Sequence, residues 1–124
     1  MADKVEIISM NVRGLGQDVK RRKMFTWLQK QNIPIILMQE THSVLETENK
    51  WRAEWGGDVF FSHGANNARG TAIFLKPEAK NIEVHKTITD KEGRYIILDL
   101  SINDIRLTLG NVYGPNIDDP NLYR

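Results

Sequence analysis

The chain contains no cysteine. That removes disulfides and thiolate zinc sites from consideration, and it fits an intracellular protein. No apolar stretch reaches the length of a membrane span, and there is no internal repeat or low-complexity segment. Net charge is nearly absent too: 17 Lys and Arg against 16 Asp and Glu leave +1. A nucleic-acid ligand would have to be met by a local concentration of positive charge. The one obvious cluster is KRRK, Lys20 to Lys23, whose plainer reading is a solvated helix start. What is present is an ordinary globular composition, 40% hydrophobic and 27% charged over 124 residues. This suffices for one domain with a sizeable core.

Hydrophobic periodicity divides the chain into a helical front and a β-rich remainder. VEIISM (Val5 to Met10) reads as a strand, and NVRGLGQ after it as a loop. From Asp18 to about Gln31 the pattern is helical, with Met24, Phe25, Trp27 and Leu28 in one arc. IPIILM is a continuous apolar run of buried-strand length. A second helix is expected over Ser43 to Trp55, with Ser43 as N-cap, Glu46 completing a capping box, and Val44, Trp51 and Trp55 inward. DVFFS and TAIFLK then flank the polar loop HGANNARG, and NIEVHKTIT follows Pro77. RYIILDLSI alternates, with Ile96, Leu98, Leu100 and Ile102 on one side. After a tight turn at NDI, Ile105, Leu107 and Leu109 again share a face. These elements predict a layered α/β fold in which helices cover a mixed, mainly antiparallel sheet.

Three strands expected to be central finish in polar residues: Asn11, Glu40 and Tyr113. Tyr113 has the parity of Ile105, Leu107 and Leu109, so it should emerge from the buried face of its sheet. A rigid scaffold can aim such strand ends into one crevice. A carboxylate with neighbouring amide oxygens and water is a hard, oxygen-rich site of the kind Mg²⁺ accepts. Taken singly, a strand-terminal Glu is more often a solvated or capping group.

The motifs ISMNVRGLG, LMQETH, RGTAIFL, KEGRYIILDL and NVYGPN, in that order, resemble the N-terminal half of the endonuclease/exonuclease/phosphatase superfamily. The nearest likeness is to the apurinic/apyrimidinic-type endonuclease of non-LTR (LINE-type) retrotransposons, and it runs from about Ile7 to Asn121. The resemblance implies that Glu40 binds a catalytic Mg²⁺, or Mn²⁺ in its place. It implies that Asn11 lies beside the metal, that Tyr113 contacts the scissile phosphate, and that Asn116 makes a phosphate or network contact. DNA would be the substrate, nicked by in-line attack of water to prime reverse transcription, and the setting nuclear. The implied fold is the DNase I-like four-layer α/β-sandwich, of which residues 1–124 would be one domain's N-terminal half.

That family pattern continues into a second half with Asp-x-Asn and Ser-Asp-His motifs. This sequence has no Ser-Asp-His, and its one Asp-x-Asn string, Asp119 to Asn121, closely follows NVYGPN and does not lie in that second half. His42, His63 and His85 sit in other contexts, and Asp118–Asp119 read as an exposed turn. The chain alone is therefore expected to be inactive or nearly so, and its metal site need not be filled. If each half contributes one sheet, an apolar face would be left uncovered, predicting a homodimer or a missing C-terminal half as partner. Two other readings stand beside the nuclease. One is a non-catalytic, self-associating scaffold with weak nucleic-acid affinity through Lys20 to Lys23, Arg69 and the hairpin loop. The other is a phosphatase acting on phosphoinositides, sphingolipids or nucleotides.

Overall fold

Residues 5–65 and 68–113 are described by a computed structural model. In chain order they form β1 (Ile7–Asn11), α1 (Asp18–Gln29), β2 (Ile35–Gln39), α2 (Glu48–Trp55), β3 (Val59–Ser62), β4 (Thr71–Leu75), β5 (Ile82–Thr89), β6 (Tyr95–Ile102) and β7 (Ile105–Val112). The strands make two sheets: one of order β1-β2-β4-β3, and one of order β5-β6-β7. In the first sheet β1 runs parallel to β2, as its connection through α1 permits, and the other pairings are antiparallel. The second sheet is antiparallel throughout.

Two kinds of apolar strand in the sequence find two kinds of place. In β2 and β4 apolar residues run without alternation because both faces are buried. One face, with Ile36, Met38, Ala72 and Phe74, packs under the helices against Phe25, Leu28, Trp51 and Trp55. The other face, with Ile35, Leu37, Ile73 and Leu75, meets Ile96, Leu98, Leu100 and Ile102 of β6. β6 alternates because only one of its faces is covered. The order of layers is helices, first sheet, second sheet.

Aromatic rings fix the helical layer. Phe25 meets Trp55 edge to face at a centroid distance of 5.5 Å, and Phe74 meets each of them at 5.3 Å. That edge-to-face arrangement is the one that ring quadrupoles favour. The Trp55 indole N–H donates to the Leu75 carbonyl at 2.8 Å. The buried ring therefore leaves no donor unpaired. Gly56, in the left-handed region at φ 84°, stops α2 after Trp55, where the sequence pattern ends the second helix. Asn103 and Asp104, both at positive φ, make the two-residue turn between β6 and β7.

Several expectations are corrected. The described residues form two sheets, not one, because the strands after Pro77 form a separate layer whose apolar face seals the first sheet. The face that a homodimer is expected to cover is thus covered within the chain. Among the described residues β1 and β7 lie at sheet edges, not in central places. Ile105, at the start of an edge strand, is exposed although Leu107 and Leu109 pack inward. Ser43 does not cap a helix: a short 3₁₀ turn (Leu45–Thr47) intervenes, and its hydroxyl is taken up elsewhere. Trp27 does not join the core arc of α1, but stands 48% exposed.

Arg21, within KRRK, is 1% exposed, so it belongs to the interior and not to a solvated cluster. Its guanidinium donates to both Glu54 oxygens at 2.6 and 2.9 Å, to Asp18 at 2.6 Å, and to the Leu15 carbonyl at 3.0 Å. It also lies over the Trp51 ring. One side chain therefore ties the β1–α1 loop to α2. The hydrogen bonds from Arg21 hold the Glu54 carboxyl below its ordinary range and, with Lys50, hold that of Asp18 at about 2. Both carboxyls titrate lower folded than unfolded. The stability they contribute is present above about pH 4 and is lost as pH falls towards about 2. Glu54→Gln, which leaves Arg21 without its main counter-charge, should cost about 3 kcal/mol at neutral pH. In urea unfolding measured from neutral to strongly acidic pH, it should also flatten the acid-side loss seen in the wild type.

Candidate active site

The first sheet's strands β1 and β2 run parallel and in register, Asn11 opposite Gln39, so Asn11 and Glu40 leave the sheet at the same end. β7 brings Tyr113 to that end from the second sheet. The three converge, with Arg13, Gln39 and His42, on a polar cleft of about 610 Å³. The Tyr113 hydroxyl donates to Glu40 Oε1 at 3.1 Å. Partial burial and the adjacent Glu40 carboxylate push the Tyr113 phenol above its ordinary value, since ionising it would put two negative charges side by side. Asn11 accepts from the Arg13 amide at 3.0 Å. Asn116 lies outside the described residues.

The loops around the cleft are laced by backbone bonds. Gly14 and Leu15 donate to the carbonyls of Glu40 and Thr41 at 2.6 and 3.0 Å, and Thr41 and His42 donate to those of Gly70 and Arg69 at 3.1 and 2.8 Å. This lacing imposes unusual conformations. Arg13, Glu40, His42 and Arg69 have φ between 51° and 59°, and the only other non-glycine residues at positive φ among those described are the Asn103–Asp104 turn. Such strain costs about 1–3 kcal/mol per residue and gathers at sites where geometry matters more than stability. At Gly14, φ is 85° and a Cβ would fall 2.6 Å from His42 Nδ1. Only glycine lets the two loops approach so closely.

Under the cleft lies a polar group that a reading of strand ends alone overlooks. Asn111, on β7 and 2% exposed, donates to the carbonyls of Met38 and Ala72, both at 2.9 Å, and accepts from Gln39 Nε2 at 2.7 Å. Gln39 also donates to Ser9 at 2.9 Å. Asn111 therefore pins the second sheet to two strands of the first, two residues before Tyr113 and directly beneath Glu40's neighbour. The parity that predicts an inward Tyr113 places Asn111 on the same face. A buried amide there requires partners, and that signal is available in the sequence.

The histidines divide. His42 lines the cleft. His63, stacked on Phe61, bonds Ser43 Oγ through Nδ1 at 2.8 Å and Glu48 through Nε2 at 2.5 Å. It braces the 41–43 loop against α2. His85, exposed on β5, meets Ser101.

As a cation site the cleft offers one carboxylate, Glu40, and the Asn11 amide oxygen. No group of three His, Cys, Asp or Glu suited to a metal occurs among the described residues. That donor set does not suit Zn²⁺. It fits Mg²⁺, which keeps several waters and binds through one or two carboxylates together with substrate oxygens. Asn111→Ala should destabilise the protein by about 2–3 kcal/mol, because it strips partners from groups between the sheets. Urea unfolding checks the size, and amide chemical shifts at Glu40 and Tyr113 should move with it.

No protein-family model matches the chain. Over 111 residues, 90% of its length, it is 27% identical to the transposon TX1 uncharacterized 149 kDa protein of Xenopus laevis. The chain spans 8% of that protein. No helix among the described residues is long and apolar enough to cross a membrane. What stands is a two-sheet α/β structure with a transposon-encoded relative at low identity.

Proposed function

We propose that the cleft is the cation- and phosphate-binding part of a Mg²⁺-dependent DNA endonuclease of the LINE-type retrotransposon kind, on a DNase I-like fold, working in the nucleus. The observation that carries this reading is the convergence of Asn11, Glu40 and Tyr113, from three strands and both sheets, on one polar cleft walled by strained loops. A relative encoded by a transposon supports it.

Glu40 and Asn11 would hold the cation, which would supply charge neutralisation for the oxygens of a phosphodiester. Glu40 is compensated by a hydrogen bond from Tyr113 and carries no cationic partner among the described residues. The Tyr113 hydroxyl, which faces Glu40 across the cleft, would be placed to donate to a phosphate oxygen. A tyrosine phenol, which ordinarily titrates at about pH 10, keeps that proton at neutral pH. Losing one such donor typically slows phosphoryl or acyl transfer by about 10²–10³. Arg13 adds positive charge at the cleft wall. The groups that activate the attacking water belong, on this reading, to the Asp-x-Asn and Ser-Asp-His motifs of a full domain, so the chain alone binds better than it cuts.

A second reading, a non-catalytic self-associating scaffold, draws on the outer face of the second sheet. There Ile88 and Val112 are exposed beside Ile97 and Tyr95.

Electrophoretic shift of a DNA duplex and nicking of supercoiled plasmid test the proposal together. Mg²⁺ should tighten duplex binding about tenfold, and Glu40→Ala should abolish that gain along with any slow nicking. A Mg²⁺ gain in duplex binding that survives Glu40→Ala, or nicking untouched by Glu40→Ala, contradicts the nuclease reading. A folded chain that neither nicks nor responds to Mg²⁺ favours the scaffold.

A further inference from the structure

The exposed face of α1 carries a stripe that the cleft does not use. Lys20, Lys23, Trp27 and Lys30 follow one another at spacings of three and four residues, which aligns them along one side of the helix. Trp27 stands between two hollows. One, of about 670 Å³, is floored by Met10, Val19 and Met24 and flanked by Lys20 and Lys23. The other, of about 330 Å³, is bounded by Arg22, Lys23, Thr26 and Lys30. No Asp or Glu lines either hollow. Among the described residues, neither Lys23 nor Lys30 forms a salt bridge.

This composition selects among occupants. A second copy of the chain docked symmetrically would set lysines against lysines. An apolar partner would leave the cations uncompensated. A row of anions with flat aromatic faces between them satisfies both features at once: phosphates beside the lysines, bases on the indole. In duplex DNA the base faces are stacked on one another, so the indole calls for unpaired bases. The stripe also connects to the cleft. The Lys20 ammonium donates to the carbonyls of Val12 and Arg13 at 2.9 and 3.1 Å, and Arg13 lines the cleft wall.

We propose that the outer face of α1 is a binding site for single-stranded nucleic acid, with Trp27 stacking on a base and Lys23, Lys30 and Lys20 meeting phosphates. The site needs neither a cation in the cleft nor cleavage, and it stands whether or not the nuclease reading does.

Tryptophan fluorescence reads it selectively, because Trp51 and Trp55 are 2% and 1% exposed and Trp27 is the only other tryptophan. Oligothymidylate titrated into the full chain in chelator and low salt should quench the emission saturably. With a dye-labelled strand, anisotropy should show affinity falling about 5- to 150-fold in Trp27→Ala. Lys23→Glu should also lower it and reduce the salt slope by about 0.7. Because Trp27 and Lys23 are exposed, circular dichroism should show both variants folded. Equal affinity in Trp27→Ala, duplex binding as tight as single-strand binding, or quenching that follows protein concentration alone would each overturn the proposal. Chelator is present throughout, so either result leaves the Mg²⁺-dependent test of the cleft independent.

Discussion

The side chain of Asn111 spans the two sheets, and the arrangement of the cleft depends on that crossing. Hydrophobic contact alone would hold β6 over β2 and β4, but apolar packing is non-directional and tolerates sliding. The amide of Asn111 donates to one carbonyl on β2 and one on β4 and accepts from Gln39, so it fixes where β7 sits over the first sheet. Two residues on, Tyr113 meets Glu40. The contact between Tyr113 and Glu40 is thus positioned by a buried amide two residues away.

Above that anchor, the site trades stability for geometry. Four non-glycine residues around the cleft adopt positive φ, and their loops are joined by short backbone bonds that leave little room for adjustment. The helical layer supplies the rigidity behind them. Arg21 gathers Glu54, Asp18 and the Leu15 carbonyl into one buried knot, and His63 braces the 41–43 loop against α2. These interactions are directional and partly charged, unlike the aromatic core they border.

Much of this is legible in the sequence, and the reasons for the rest are physical. The continuous run IILM and the alternating YIILDLSI distinguish a strand covered on both faces from one covered on one, and both occupy those places. Parity correctly places Tyr113 inward. The number of sheets stays hidden because strand patterns report how many faces are buried, not which other strands bury them. Ser43 reads as a cap from a local motif, but a tertiary partner, His63, claims its hydroxyl. Arg21 and Trp27 exchange their expected places for a similar reason. On the helix wheel arginine reads as surface and tryptophan as core, yet two carboxylates draw Arg21 inward. Asn116, expected beside Tyr113, lies outside the described residues.

Everything proposed for the cleft rests on Glu40 and Asn11, held together by two parallel strands, receiving a divalent cation. Paramagnetic broadening by Mn²⁺ in a ¹⁵N-labelled sample tests this most directly, because it locates the ion without requiring turnover. Substoichiometric Mn²⁺ should selectively erase the amide signals of Asn11, Glu40, Thr41 and Tyr113. Excess Mg²⁺ should restore them, and Glu40→Ala should prevent the effect. Broadening centred elsewhere, or uniform over the acidic surface and unchanged in Glu40→Ala, would contradict it.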